Sequence, residues 1–156
     1  VSFMQKIKGF NVRKATHDDI FQIMVLIYNF SKELPELYRS FNRDKVERSV
    51  SNFIDSDFSE IFVLEDDGVI IGMLACMVVE FLFSQKKTAT ELAWYIDKDH
   101  RGGTKSIRLI KSYEEWARKK GADLICMADV PEIQDLGGLY KRLGYQLNES
   151  TYAKEA

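Results

Sequence analysis

The chain is poor in the residues that mark most specialised protein classes. Its 156 residues include only two cysteines, Cys76 and Cys126. Each sits in an apolar run ("GMLACMVV", "ADLICMAD") with no C-x-x-C spacing. That pattern excludes a disulfide scaffold and a cysteine-based zinc or redox motif, and it reads as two reduced, buried thiols. The two histidines, His17 and His100, read as surface residues flanking a helix cap and a loop. No metal is expected. Charge of one sign is also lacking: 22 basic side chains face 24 acidic ones, a formal charge of −2. A nucleic-acid-binding domain is usually strongly basic, so nucleic acid is not an expected partner. No apolar run is long enough to span a bilayer and no signal-peptide pattern occurs, so no membrane partner is expected and a cytoplasmic location is. Repeats, low-complexity tracts and proline- or serine-rich linkers are missing too, which predicts a single domain over residues 1–156. Residues 1–9 read as extra N-terminal residues without a function.

What the chain does have is apolar content, 46% of residues, enough for a substantial core. "FNVRKA" (10–15) alternates as a strand does. Thr16 and Asp19 have capping-box spacing, and Ile20, Ile23, Met24, Ile27 and Tyr28 then repeat at helical intervals to about Lys32. Asn42 or Asp44 can cap a second helix bearing Val46, Val50, Phe53 and Ile54. "EIFVLEDDGVIIGMLACMVVEFLF" reads as two strands around a turn at Asp66-Asp67-Gly68, and "ATELAWYI" as a third. A long helix with Ile107, Ile110, Tyr113 and Ala117 on one face ends at Gly121. "ADLICMADV" is apolar enough for a buried central strand, "LGGLYKRLGY" is a short helix ended by Gly144, and "YQLNESTYAK" is a last strand. The order β-α-α-β-β-β-α-β-α-β predicts an α/β fold with a mixed sheet and helices on both faces.

One stretch carries chemistry. "DHRGGTKSIRLI" (99–110) joins a strand to a helix through two adjacent glycines. Amides at a helix N-terminus form an anion site, and glycine lets backbone approach a ligand closely. Arg101, Lys105 and Arg108 add positive charge. The nucleotide pattern G-x-x-x-x-G-K-S/T does not fit, because Thr104 separates glycine from lysine and no earlier glycine stands at the required distance.

These residues, with "WYIDKDHRG", "IRLIKSYEEWARKKGA" and "LYKRLGY", resemble the GNAT superfamily of N-acetyltransferases over nearly all of Asn11 to Lys154. That family carries Q/R-x-x-G-x-G/A between its fourth strand and third helix. Arg101 takes the Q/R position, while Thr104 and Ser106 stand where glycine or alanine is usual. The asparagine often found before the last short helix is absent, with Ile133 near its place. The resemblance implies a central mixed sheet of six to seven strands flanked by about four helices, with acetyl-CoA as cosubstrate. Its pyrophosphate would lie on Arg101, Gly102, Gly103, Thr104, Lys105 and Ser106. Its pantetheine arm would pair with the strand at Trp94, Tyr95 and Ile96. Tyr140 falls where the family places a tyrosine near the CoA sulfur, as proton donor to the thiolate. Glu91 on the preceding strand is the expected base, with Glu80 and Asp129 as alternatives. The acceptor would lie over "YNFSKELPELYRSFNRD", with Glu33 and Glu36 drawing a cationic amine and Tyr28, Phe30, Tyr38 and Phe41 forming a wall. The implied reaction is acetyl transfer by direct attack of a primary amine, borne by a small molecule or a protein. A catalytically weak CoA-binding or protein-interaction module of the same fold is the alternative, and a homodimer is compatible with either.

Overall fold

The computed structural model describes residues 9–156; of the segment 1–9 only Gly9 is among them, so the reading of residues 1–8 lies outside the described residues. The element order is β1 (Phe10–Lys14), α1 (Ile20–Glu33), α2 (Arg43–Asp55), β2 (Ser59–Asp66), β3 (Val69–Glu80), β4 (Lys87–Ile96), α3 (Lys105–Lys119), β5 (Leu124–Cys126) and α4 (Gly137–Arg142). Short 3₁₀ turns lie at His17–Asp19, Glu36–Tyr38 and Lys98–His100.

The strands form one sheet in the order β1-β2-β3-β4-β5. Neighbours from β1 to β4 are antiparallel, and β5 joins β4 in parallel through the α3 crossover. Local chemistry sets these junctions. Asp67 and Gly68 have φ of 48° and 85°, the pair of positive angles that a two-residue hairpin turn needs. Helix α1 starts where the Thr16 amide donates to Asp19 Oδ2 at 2.7 Å. Asn42 caps α2 by accepting from the Lys45 amide at 2.9 Å. Helix α3 stops at Gly121 (φ 79°), with the Ala122 amide reaching back to the Ala117 carbonyl at 3.0 Å.

β2 and β3 are buried on both faces, which is why they read as continuous apolar runs. Ile61, Val63, Met73 and Ala75 pack toward α1 and α2 with Ile23, Leu26 and Val50. Phe62, Leu64, Leu74 and Cys76 pack toward α3 with Leu109, Tyr113, Trp116 and Ala117.

Two expectations are corrected. The sheet has five strands, not six to seven, because Tyr145–Lys154 forms no strand. Its apolar members have no face to bury: Leu147 and Tyr152 are 85% and 95% exposed. A strand persists only where a neighbouring strand and a core receive it. The "ADLICMADV" segment is likewise an edge strand rather than a central one, pairing only through Leu124, Ile125 and Cys126.

Candidate active site

The site grows out of an irregularity in β4. Ala75 pairs with Ala93 and Cys76 with Glu91, so Leu92 is an extra, unpaired residue. Such a bulge re-aims side chains. Ala89 packs on the α3 side, so two-residue alternation sends Glu91 there too; the inserted residue brings Trp94 and Ile96 onto that same side. Pairing between β4 and β5 ends at Thr90–Cys126. Beyond it, Glu91–Ile96 has no strand on its outer edge, and a cleft of about 1050 Å³ opens there.

Five groups of residues line the cleft. β4 contributes Glu91, Leu92, Trp94, Tyr95 and Ile96, and the glycine loop contributes Arg101, Gly102, Gly103 and Ser106. The end of α1 supplies Phe30 and Glu33 and the α1–α2 connection Leu34, Pro35, Leu37 and Tyr38, and the opposite wall is the 128–136 segment with Gly138, Leu139 and Arg142 from α4. Thr151 and Ala153 of the unpaired C-terminal segment close one side.

Gly102 and Gly103 have φ of 97° and 70°, and a Cβ on either would meet nothing within 4 Å. Their positions therefore serve the left-handed turn and leave space above it. Helix α3 begins just beyond, with no acidic residue in its first turn, so its unpaired amides and dipole face that space unopposed. A second hollow of about 240 Å³ adjoins the loop, lined by Phe10, Gly102, Gly103, Thr104, Lys105 and Arg108. Thr104 makes no side-chain cap, and Ser106 Oγ reaches only the Gly103 carbonyl, at 3.4 Å.

Arg101 is turned elsewhere. Its Nε donates to the Ile96 carbonyl at 2.8 Å, and its Nη2 contacts Glu33 Oε1 and Oε2 at 2.9 and 2.8 Å. The Tyr95 hydroxyl also donates to Glu33 Oε1 at 2.9 Å, and Lys98 Nζ stands 3.8 Å away. Burial, then that hydrogen bond, pushes the Tyr95 phenol up to about 12. Glu33 thus ties the end of α1 to the end of β4. Tyr28 and Glu36 are not among the cleft-lining residues; Tyr28 packs edge-on against Phe41, with ring centroids 5.2 Å apart, and carries Lys32 over its ring.

Among the described residues Glu91 has one polar partner, the Ala128 amide, which donates to Oε2 at 3.1 Å. Burial pushes its carboxyl up to about 7, against the smaller opposing effect of that amide. Tyr140 stands behind the wall rather than on it: it is 8% exposed and its hydroxyl donates to the Ala128 carbonyl at 2.7 Å. Burial holds its phenol above the ordinary range. Glu80 does not line the cleft, whereas Asp129 does.

Sequence reasoning assigned no role in the site to the 128–136 wall beyond Asp129. Its one available signal was Pro131, since both prolines of the chain lie on cleft walls. It also passed over Ala128, whose role is carried by backbone and leaves no mark in residue type.

An open strand edge thus runs into a glycine turn at a helix N-terminus, an arrangement whose free amides suit an anion. The acetyltransferase (GNAT) family model matches residues 24–145, and the chain belongs to that family. Acetyl-CoA is the family's cosubstrate. An uncharacterized N-acetyltransferase of Methanocaldococcus jannaschii is 26% identical over 145 residues, covering 92% of this chain; the chain spans 63% of that relative's length. AAC(6')-Iy in complex with the bisubstrate analogue CoA-S-monomethyl-acetylneamine superposes with a TM-score of 0.77 at 16% identity, over 96% of this chain and 100% of that one. Glucosamine-6-phosphate N-acetyltransferase of Arabidopsis thaliana gives 0.75 at 16% identity, over 95% and 99%. At such identities these two structures establish a shared fold. Among the described residues, no group of histidine, cysteine or carboxylate side chains could hold a metal ion, and no helix is long and apolar enough to cross a membrane.

The cleft suits acetyl-CoA on its own geometry. The free edge of β4 offers backbone groups to an extended arm, and the glycine turn offers an uncrowded approach to helix amides. The Trp94 Nε1 donor is buried beside the cleft with no partner among the described residues.

Proposed function

We propose that this protein transfers the acetyl group of acetyl-CoA to a primary amine by direct attack, with Glu91 as the proton acceptor. The observation that carries the reading is Glu91 itself: a carboxyl at the free edge of β4, facing the cleft, with a single amide partner and an affinity for protons near neutral pH. A general base works best when its pKa lies near the operating pH. In the reaction the amine nitrogen bonds to the thioester carbonyl carbon, the carbon–sulfur bond breaks, and the proton lost by the amine goes to Glu91, directly or through one water.

The remaining roles follow the cleft. The amides of the 101–106 turn and the start of α3 would hold the pyrophosphate, with Lys105 and Arg108 adding charge from the neighbouring hollow. Trp94, Tyr95 and Ile96 would pair with the pantetheine arm. Arg101, bound to Glu33, would shape the loop more than touch phosphate. The acceptor amine would enter between the 34–38 connection and the 128–136 wall. Glu33 is then part of the frame of that entrance, while Tyr28 and Glu36 stand outside it. A role for Tyr140 in protonating the thiolate would require its hydroxyl to release the Ala128 carbonyl.

The test is CoA release from acetyl-CoA across a panel of small and peptide amines, for the wild type and Glu91→Gln, beside calorimetric CoA binding. Turnover that falls in Glu91→Gln with CoA binding retained is the expected result. CoA binding without turnover on any amine would instead support the binding-module reading.

A further inference from the structure

Ala128 carries both hydrogen bonds that bear on the position of Glu91. Its amide donates to Glu91 Oε2 at 3.1 Å, and its carbonyl accepts from the Tyr140 hydroxyl at 2.7 Å. Strand β5 ends two residues earlier, at Cys126, so no ladder bond fixes this stretch. Beyond it the 128–136 segment is held by short-range bonds: the Val130 carbonyl accepts from the Ile133 and Gln134 amides at 2.8 and 3.1 Å, and Asp135 Oδ1 accepts from the Gly137 amide at 3.0 Å. Tyr140, by contrast, is well fixed. It projects from α4, is 8% exposed, and its ring packs between Trp94 and Tyr145, with centroids 6.4 and 5.8 Å away.

From this arrangement we infer that Tyr140 is a positioning residue for Glu91, holding through the Ala128 backbone the N–H that keeps the carboxylate in place. The catalytic meaning of this inference rests on the proposed acetyl transfer; the mechanical link does not. Donation by the phenol to the thiolate would first break its bond to the Ala128 carbonyl, at a net cost of about 0.5–1.5 kcal/mol. The thiol of CoA, with a pKa near the reference of about 8.5 for a cysteine, leaves without needing that help.

Few ionised groups compete for control of Glu91 on the packed side. Cys76 faces it from β3, Tyr113 from α3 and Tyr140 from α4, and burial keeps all three neutral through the working range. Asp129 follows Ala128 on the wall, and the Glu33–Arg101 pair stands across the cleft. The Ala128 amide is therefore the one hydrogen bond that favours the Glu91 carboxylate over its acid, and loosening it should make Glu91 hold its proton to higher pH.

The experiment reads Glu91 directly. The carboxyl carbon of Glu91 is titrated by ¹³C NMR in the wild type and in Tyr140→Phe, its resonance identified by its loss in Glu91→Gln. The inference expects the Glu91 midpoint to rise by half a pH unit or more in Tyr140→Phe, with CoA binding retained and the acid limb of kcat/KM moving with it. An unchanged midpoint overturns it, as does a lost alkaline limb of kcat with the midpoint unmoved, which would make Tyr140 the acid. Should Tyr140→Phe not fold, the wild-type Ala128 amide shift decides: it must titrate with the Glu91 midpoint, and an amide indifferent to that midpoint overturns the link. A midpoint that moves in a protein with no turnover on any amine would preserve the inference and defeat the acetyl-transfer reading instead.

Discussion

Two glutamates face the same cleft under opposite conditions. Glu33, at the end of α1, accepts from Arg101 and Tyr95 and has Lys98 nearby, so its charge is compensated where it stands. Glu91, on the free edge of β4, has one neutral amide and an otherwise apolar setting, so its charge is not. Identical residue types thus divide into a structural tie and the proposed proton acceptor. What distinguishes them is the supply of donors, and a poorly supplied carboxyl in a cleft is where proton chemistry is found.

The strongest way to break the contrast is to remove proton acceptance from Glu91 while keeping its shape. Glu91→Gln should lower kcat on the order of 10²–10⁴-fold, the usual range for a general base, with the CoA dissociation constant nearly unchanged. The wild type should also show kcat/KM rising with pH through about 7, where Glu91 loses its proton, and the variant should lack that limb. A limb that persists in Glu91→Gln would assign it to another group.

The same carboxyl should register in stability. Its affinity for protons is raised from 4.5 to about 7 in the folded chain. Below about pH 4.5 it is protonated in both states and costs nothing. Between there and about pH 7 the folded state binds the extra proton, so stability falls as pH rises. At about 1.4 kcal/mol per pH unit the loss amounts to at most about 3 kcal/mol by pH 8. Urea unfolding at pH 5 and pH 8 should show the wild type losing more stability than Glu91→Gln across that interval. Equal losses would mean that Glu91 is better solvated than its position implies.

At the other end of the cleft the tie can be cut from either side. Arg101→Gln should cost about 1–2 kcal/mol, because Glu33 loses a charged donor while keeping the Tyr95 hydroxyl. The arginine side chain is 35% exposed, which screens part of the interaction and keeps the figure below that of a fully buried pair. A double-mutant cycle with Glu33→Gln should return a coupling of 0.5 kcal/mol or more, as contacting residues do. Additive losses would mean that the tie contributes nothing.

How much of this was legible in the sequence depended on where the information sits. Periodicity located all four helices and the first four strands, since each buries a face whose pattern its own residues write. The glycine loop was legible because left-handed turns at Gly102 and Gly103 require that residue type. The last strand was misread because Tyr145–Lys154 has nothing to pair with and no core to cover, a fact about the sheet rather than about its residues. The partner of Arg101 was hidden for a similar reason. Glu33 lies 68 residues away, and the charge pattern fits a phosphate site as well as it fits an ion pair. The bulge at Leu92, which sends Glu91 and Trp94 to one side, has no residue signature at all.

The smallest expected effect concerns the two hydroxyls in the 101–106 loop. Thr104 and Ser106 stand where glycine or alanine is usual in the family, and either they reach a phosphate or they are merely accommodated. Thr104 leaves its hydroxyl out of any cap, and the Ser106 contact to the Gly103 carbonyl is long at 3.4 Å. Neither side chain is held in a fixed pose, whereas the backbone turn is. Alanine tests this better than glycine, because glycine would loosen the first turn of α3 by about 1 kcal/mol and confuse stability with binding. Thr104 has helical angles (φ −84°, ψ −13°) that alanine adopts without strain. If backbone amides carry the phosphate contacts, Thr104→Ala with Ser106→Ala should leave CoA affinity within about threefold. A neutral hydrogen bond contributes at most about 1.5 kcal/mol, roughly tenfold in affinity. A calorimetric loss of tenfold or more would therefore mean that at least one hydroxyl binds the phosphate directly, and the two single variants would say which.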